Sequence, residues 1–342
     1  MKSFAFTSRA LSVSIAAVLL TGCGGSQLPS GATSSPLQRI ASPDRLSRAG
    51  SWMKSEAKRG DLLYISDQGT RHIDVFSYPR GKLVGKLYGF VAPAGECVDG
   101  AGDVFVTDAE DYDIVEYAHG EKMPIKTLSD PGFNASSCSI DPKSGDLAVI
   151  NACSSKYGSY CSGPGSVAIY RKAKGTPKIY TDAGFPTFNF AYGGYDDGGN
   201  LFADGTYYYG SEGIACGFTE LPKGKRKLYT VALGQYQACH AAVQWDGKYV
   251  AIVQGSSSGS ITIDQFSIRQ RQGTEVGSTP LTGIFELNQV WIEDGSVIVA
   301  DYGSDDVKYF NYPAGGSPTK TITGFQFPYG VTVSHPVSRT GG

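Results

Sequence analysis

The chain has 342 residues, of which 41% are apolar and only 18% charged, and its 30 basic and 32 acidic residues leave a net charge of −2. Glycine, at 45 residues, and tyrosine, at 21, are prominent. This mixture excludes collagen, coiled coils and charged disordered chains, and the missing basic excess argues against a nucleic-acid partner.

Lys2 and Arg9 give a basic start, Ala10 to Leu20 form a mainly apolar stretch of Ala, Leu, Val and Ile, and Leu20-Thr21-Gly22-Cys23 follows. A basic, then apolar, then small-residue order predicts an export signal over residues 1–22, too short for an ordinary spanning helix. Its ending resembles a bacterial lipobox. The resemblance implies cleavage before Cys23 and attachment of acyl chains such as palmitate there. A plain secretory peptide with an incidental cysteine is the other reading. Loss of Lys2 and Arg9 brings the net charge to −4. Two or three acyl chains hold a protein to a membrane where one does so marginally. Gly24 after Cys23, rather than Asp, implies by the same resemblance the outer membrane of a bacterial cell envelope. Residues 23–60 are rich in Ser, Gly, Pro and Ala and read as a flexible tether. A short helix carrying Leu46, Trp52 and Met53 is the alternative over 42–58.

From residue 61 the chain repeats itself. Leu63-Tyr64-Ile65-Ser66-Asp67, Val104-Phe105-Val106-Thr107-Asp108 and Val297-Ile298-Val299-Ala300-Asp301 each precede a second β-rich phrase, such as Val75-Phe76-Ser77-Tyr78-Pro79-Arg80-Gly81. Glycines that end this second phrase, at 81, 120, 175, 224, 273 and 315, lie 39 to 55 residues apart. That period indicates stacked supersecondary units. Asp-Gly pairs at 99–100, 197–198, 246–247 and 294–295 mark hairpin turns. Four short strands per unit predict an all-β, six-bladed β-propeller over 61–334, with 335–342 as a tail. The first unit begins at its second strand, so Phe327 to Ser334 is expected to supply the missing strand and close the ring.

Asp103-Val-Phe-Val-Thr-Asp108 and Gly295-Ser-Val-Ile-Val-Ala-Asp301, with Pro93-Ala-Gly95 and Pro328-Tyr-Gly330, resemble phrases of the NHL-repeat superfamily. The resemblance is close in the first, second and sixth units and loose in the others. It implies the fold more than a function, since that superfamily spans scaffolds, binders, lyases and lactonases.

Cys97, Cys138, Cys153, Cys161, Cys216 and Cys239 are even in number, which suits disulfides in an exported chain. Cys153 with Cys161, Cys97 with Cys138 and Cys216 with Cys239 are the expected pairs. Buried free thiols are the alternative.

Aligning the starts of the inner strands brings Asn134, Asn189, His240 and Asn288 into one rim, with Glu96 slightly deeper. Tyr192, Trp291 and Tyr329 are candidate aromatic walls. Convergent polar groups around a concavity suggest a ligand site, whereas Asn at a strand start also serves turns. The expected ligand is a small molecule, glycan or protein, bound without catalysis and without a resident cofactor. The alternative is a hydrolase or lyase of gluconolactonase-like type using the same rim. There, Glu96 and the three Asn would offer oxygens to a divalent cation.

Overall fold

A computed structural model describes residues 48–337 apart from 158–159, 182–183, 186–187, 209–212, 235–241 and 256–260; the side chains of 133, 155–157, 160–162 and 208 lie outside the description. Cys23 and His240 therefore fall outside the described residues.

Six strands each open an antiparallel four-stranded unit among the described residues. They are β1 (Pro93–Val98), β2 (Phe133–Ile140), β3 (Asn189–Tyr195), β4 (Val243–Trp245), β5 (Leu287–Glu293) and β6 (Pro328–Ser334). In the first unit in this series, β1 pairs with Val104–Asp108, then Asp113–Tyr117, then Pro124–Ser129. The units of β4 and β5 are also linked by one parallel bridge, Leu281 to Gly316. Each opening strand contacts the next, from β1 to β6, and β6 contacts β1.

Burial explains the residue choice. Second strands such as Leu62–Asp67 are buried at every position, because each sheet is covered on both faces by its neighbours, and such strands read as continuous apolar runs. Fourth strands alternate, as in Pro124–Ser129, where only Leu128 is buried. The Asp294-Gly295 hairpin has positive φ at both residues, the two-residue turn that an Asp-Gly pair favours. At 99–100 and 197–198 the left-handed residue is instead the later Gly102 or Gly199, because those loops are longer.

The chain ends meet as the repeat implies. Leu63 faces Val333, Tyr64 faces Thr332 and Ile65 faces Val331 in an antiparallel ladder between β6 and Leu62–Asp67. Beyond it, the His335 ring reaches Asp61 at 2.8 Å and Glu293. Burial pushes this imidazole down, but the two carboxylates outweigh it and raise its pKa above the ordinary value.

The tether expectation needs correction at its end. Trp52–Met53 adds a fifth strand along Gly85 and Lys86, and Ala57 is buried within the short 3₁₀ turn Ser55–Lys58. Gly85 leaves room for the Met53 sulfur, where a Cβ would collide. Residues 51–58 are thus held by sheet pairing, and Trp52 and Met53 lie on a strand rather than a helix.

The recurrent Asp closing three of the second strands, Leu62–Asp67, Val104–Asp108 and Ser296–Asp301, is a backbone staple. Asp108 accepts from the N–H groups of Val91 and Ala92 at 2.8 and 2.7 Å. Asp67 accepts from Gln326 and Phe327 at 3.0 and 2.9 Å, and Asp301 accepts from Phe285 and Glu286. These are backbone N–H groups of the segment entering the opening strand of the same unit, which have no ladder partner of their own. We expect Asp108→Ala to lower stability by about 1–3 kcal/mol, visible as a reduced Tm, because it orphans two such donors.

Candidate functional site

Structural bonds engage several groups at the starts of the opening strands, while Asn288 Nδ2 is buried without a hydrogen-bond partner. Asp67, Asp108 and Asp301 are engaged as above, and Asp204 accepts from the Tyr192 N–H at 2.7 Å. Asn134 has φ +58 and sits beside a register break between β2 and Leu147–Cys153. Asn tolerates that left-handed conformation better than most residues. Asn189 is half-buried and paired to Thr206 through the ladder. The Tyr192 hydroxyl donates to Asn288 Oδ1 at 3.2 Å, and the Tyr329 hydroxyl lies against it. Burial raises the pKa of both phenols. No hydrogen bond joins any two of Glu96, Asn134, Asn189 and Asn288. Among the described residues no group of three or more His, Cys, Asp or Glu is placed to hold a metal ion.

Glu96 is fully buried, and neither carboxylate oxygen has a hydrogen-bond partner. Its direction follows from strand alternation. Neighbouring Cys97 reaches to Cys138 on β2 in a disulfide with Cα atoms 5.6 Å apart. Glu96 therefore projects the other way, towards Tyr64, whose pKa is raised chiefly by burial and further by the Glu96 charge. Burial pushes the Glu96 carboxyl well above the usual range. Cys153 and Cys216 are also disulfide-bonded, whereas the side chains of Cys161 and Cys239 lie outside the description.

Side-chain amides and hydroxyls cap the free inner edges of the opening strands. Gln289 on β5 accepts from the Glu96 N–H at 2.9 Å and donates to the Glu96 carbonyl at 2.6 Å. Gln244 on β4 makes the same two-sided clip on Ile292, accepting at 2.7 Å and donating at 3.5 Å. Ser137 and Ser139 accept from Gly193 and Tyr195. None of the four carries a signal in the sequence, since a lone Gln or Ser in a strand has no distinguishing spacing.

A cavity of about 380 Å³ opens at the opposite end from the expected rim. It is walled by the C-terminal ends of β1 to β5 and contains none of Glu96, Asn134, Asn189 and Asn288. Tyr192 and Trp291, expected as walls of the rim, line this cavity instead, together with Tyr195, Trp245 and Gln289, whereas Tyr329 does not. Asp197 and Glu293 supply carboxylates at its edge. Glu293 accepts from the Trp291 indole N–H at 2.7 Å and so fixes that ring. The Trp245 indole N–H is buried with no hydrogen-bond partner. A signal for Trp245 existed in its place just before Asp246-Gly247, the turn at one end of the channel.

No protein-family model matches the sequence, and no curated protein does. Solved structures do resemble it. One is a chain of a nidogen/laminin complex, with a TM-score of 0.60 and 13% identity over 80% of this chain and 98% of that one. Another is the β-propeller domain of Cps50 (Swd1) from Myceliophteria thermophila, with a TM-score of 0.51 and 9% identity over 80% and 86% of the two chains. The fold is a β-propeller. Hydrazine synthase of Kuenenia stuttgartiensis also resembles this propeller, with a TM-score of 0.51 and 14% identity over 77% of this chain and 95% of that one. At these identities the likeness concerns architecture.

Proposed function

We propose that this protein is an exported, lipid-anchored binding protein whose six-bladed propeller takes a glycan or similar polyhydroxyl molecule at the channel mouth formed by the ends of β1 to β5. Cys23 is the proposed anchor and the bacterial outer membrane the proposed site, on the strength of the lipobox phrase. NHL kinship rests on the repeated Val-x-Val-x-Asp phrases and stays part of this reading.

The observation that carries the ligand class is the unpartnered Trp245 indole N–H in a cavity that Trp291 and Tyr195 also wall. Aromatic faces pack against the C–H faces of a sugar ring, while an indole N–H, Asp197 and Glu293 bond its hydroxyls. The proposed role is binding without catalysis.

The chain has three tryptophans, so the site reports on itself. Titrating the full chain with neutral mono- to tetrasaccharides should change indole fluorescence saturably. Trp291→Ala should weaken that binding by about tenfold or more, roughly 1.4 kcal/mol. An unresponsive fluorescence across the panel, or full affinity in the variant, would remove this reading.

A further inference from the structure

We propose that the groove between the units of β2 and β3 is an anion site that takes the phosphate group of a phosphate ester. The chain is acidic overall, yet residues 171–178 (Arg-Lys-Ala-Lys-Gly-Thr-Pro-Lys) and 223–227 (Lys-Gly-Lys-Arg-Lys) hold eight of its 30 basic residues and no acidic one. Both segments connect the third and fourth strands of successive units, so the topology brings them to the same end of adjacent sheets. Gly175 and Gly224 take positive φ in these turns, at 71° and 74°.

The result is concave. Arg171, Lys178, Lys223, Lys225 and Arg226 line one groove of about 630 Å³. Its two carboxylates already serve their own turns. Asp141 accepts from the Lys143 N–H and the Ser144 hydroxyl at 2.9 and 2.6 Å, with Lys223 Nζ 4.0 Å away, and Asp146 accepts from the Lys172 N–H at 2.8 Å. Among the described residues, Arg171, Lys178, Lys225 and Arg226 have no ion-pair partner; Lys178 rests over the Tyr180 ring at 4.5 Å.

Five cations facing two committed carboxylates repel one another, and a concave wall of one sign concentrates counter-ions. A phosphate dianion relieves that repulsion, and the guanidinium groups of Arg171 and Arg226 suit its oxygens as paired donors. Tyr180 and Tyr195 in the same wall offer the organic part of the ester an apolar surface. Tyr195 also borders the axial cavity, but the phosphate site stands on its own cations and is independent of the glycan reading.

The test titrates the full chain calorimetrically with pyrophosphate and with glycerol 1-phosphate, and sediments it with phosphatidylglycerol or phosphatidylcholine vesicles. Both soluble probes should bind at low salt and weaken as salt rises. The triple variant Lys178→Gln, Lys223→Gln, Arg226→Gln should lose at least about tenfold in affinity, and Trp291→Ala should lose none. These exposed changes are expected to leave the fold intact. Retention on phosphatidylglycerol vesicles but not on phosphatidylcholine would extend the site to lipid headgroups, whereas binding of the soluble probes alone would assign it to soluble esters. Absence of heat with both probes overturns the proposal. So does undiminished binding in the triple variant, or an equal loss when Arg80, Lys122 and Lys248, on other parts of the surface, are neutralised instead.

Discussion

Truncation after Phe327 is expected to abolish the native monomer. The deletion removes β6, whose residues pair with Leu62–Asp67 from Leu62 to Asp67 and pack against β1 and β5. Val331 and Val333 are fully buried there, and each contributes about 1.5–3 kcal/mol by leaving water. The Gly330 N–H donates to Ser66 Oγ at 2.7 Å, and the Ser334 hydroxyl donates to the Gly102 carbonyl at 2.6 Å, so buried groups in two units also lose partners. Together these losses approach the roughly 5–15 kcal/mol that holds a typical domain. The strand Leu62–Asp67 becomes an open, apolar edge, a template for pairing with other chains. Size-exclusion chromatography and thermal unfolding by circular dichroism should show oligomers or an unfolded chain. A monomer with unchanged Tm would show that the ring does not depend on this strand.

A second large effect is expected at Glu96. Its carboxyl is fully buried, has no hydrogen-bond partner and titrates well above the ordinary range because burial opposes its charge. Below the unfolded pKa, about 4.3, both states hold the proton and no penalty arises. As pH rises past that value the unfolded chain releases its proton first. Stability then falls by about 1.4 kcal/mol per pH unit until the raised folded pKa is passed. Glu96→Gln removes the titration but keeps the shape, so the difference between variant and wild type should grow steadily with pH. The difference isolates this site from His335 and other titrating groups. Urea unfolding at a series of pH values reads it directly. Parallel curves for the two proteins would mean that the Glu96 charge is compensated within the fold. The amide brings its own unsatisfied donors, so the informative quantity is the slope and not the offset.

Legibility differed along the chain for physical reasons. The Val-x-Val-x-Asp phrases announced themselves because a strand buried on both faces needs an unbroken apolar run, and because its last residue must cap two backbone N–H groups. Cys97 and Cys138 suggested a pair because they occupy matching places in successive units, and the structure joins them. Residues 51–58 misled because small polar composition resembles a linker, while sheet-edge pairing at Trp52 and Met53 depends on the distant Gly85. The polar rim was less legible. Asn288 and Glu96 looked available, but one is bonded to Tyr192 and the other is turned towards Tyr64.

The local code was sufficient for strand, turn and repeat, and for the return of the tail to the first unit, because those depend on alternation and on turn chemistry within a few residues. The cavity and its mouth were beyond it. Gln289 reaches Glu96 across 193 positions of sequence, and the cations at 171–178 meet those at 223–227 only when adjacent sheets stack. Which polar atoms are consumed and which remain free is settled by such long-range pairings, and no short stretch of sequence carries them.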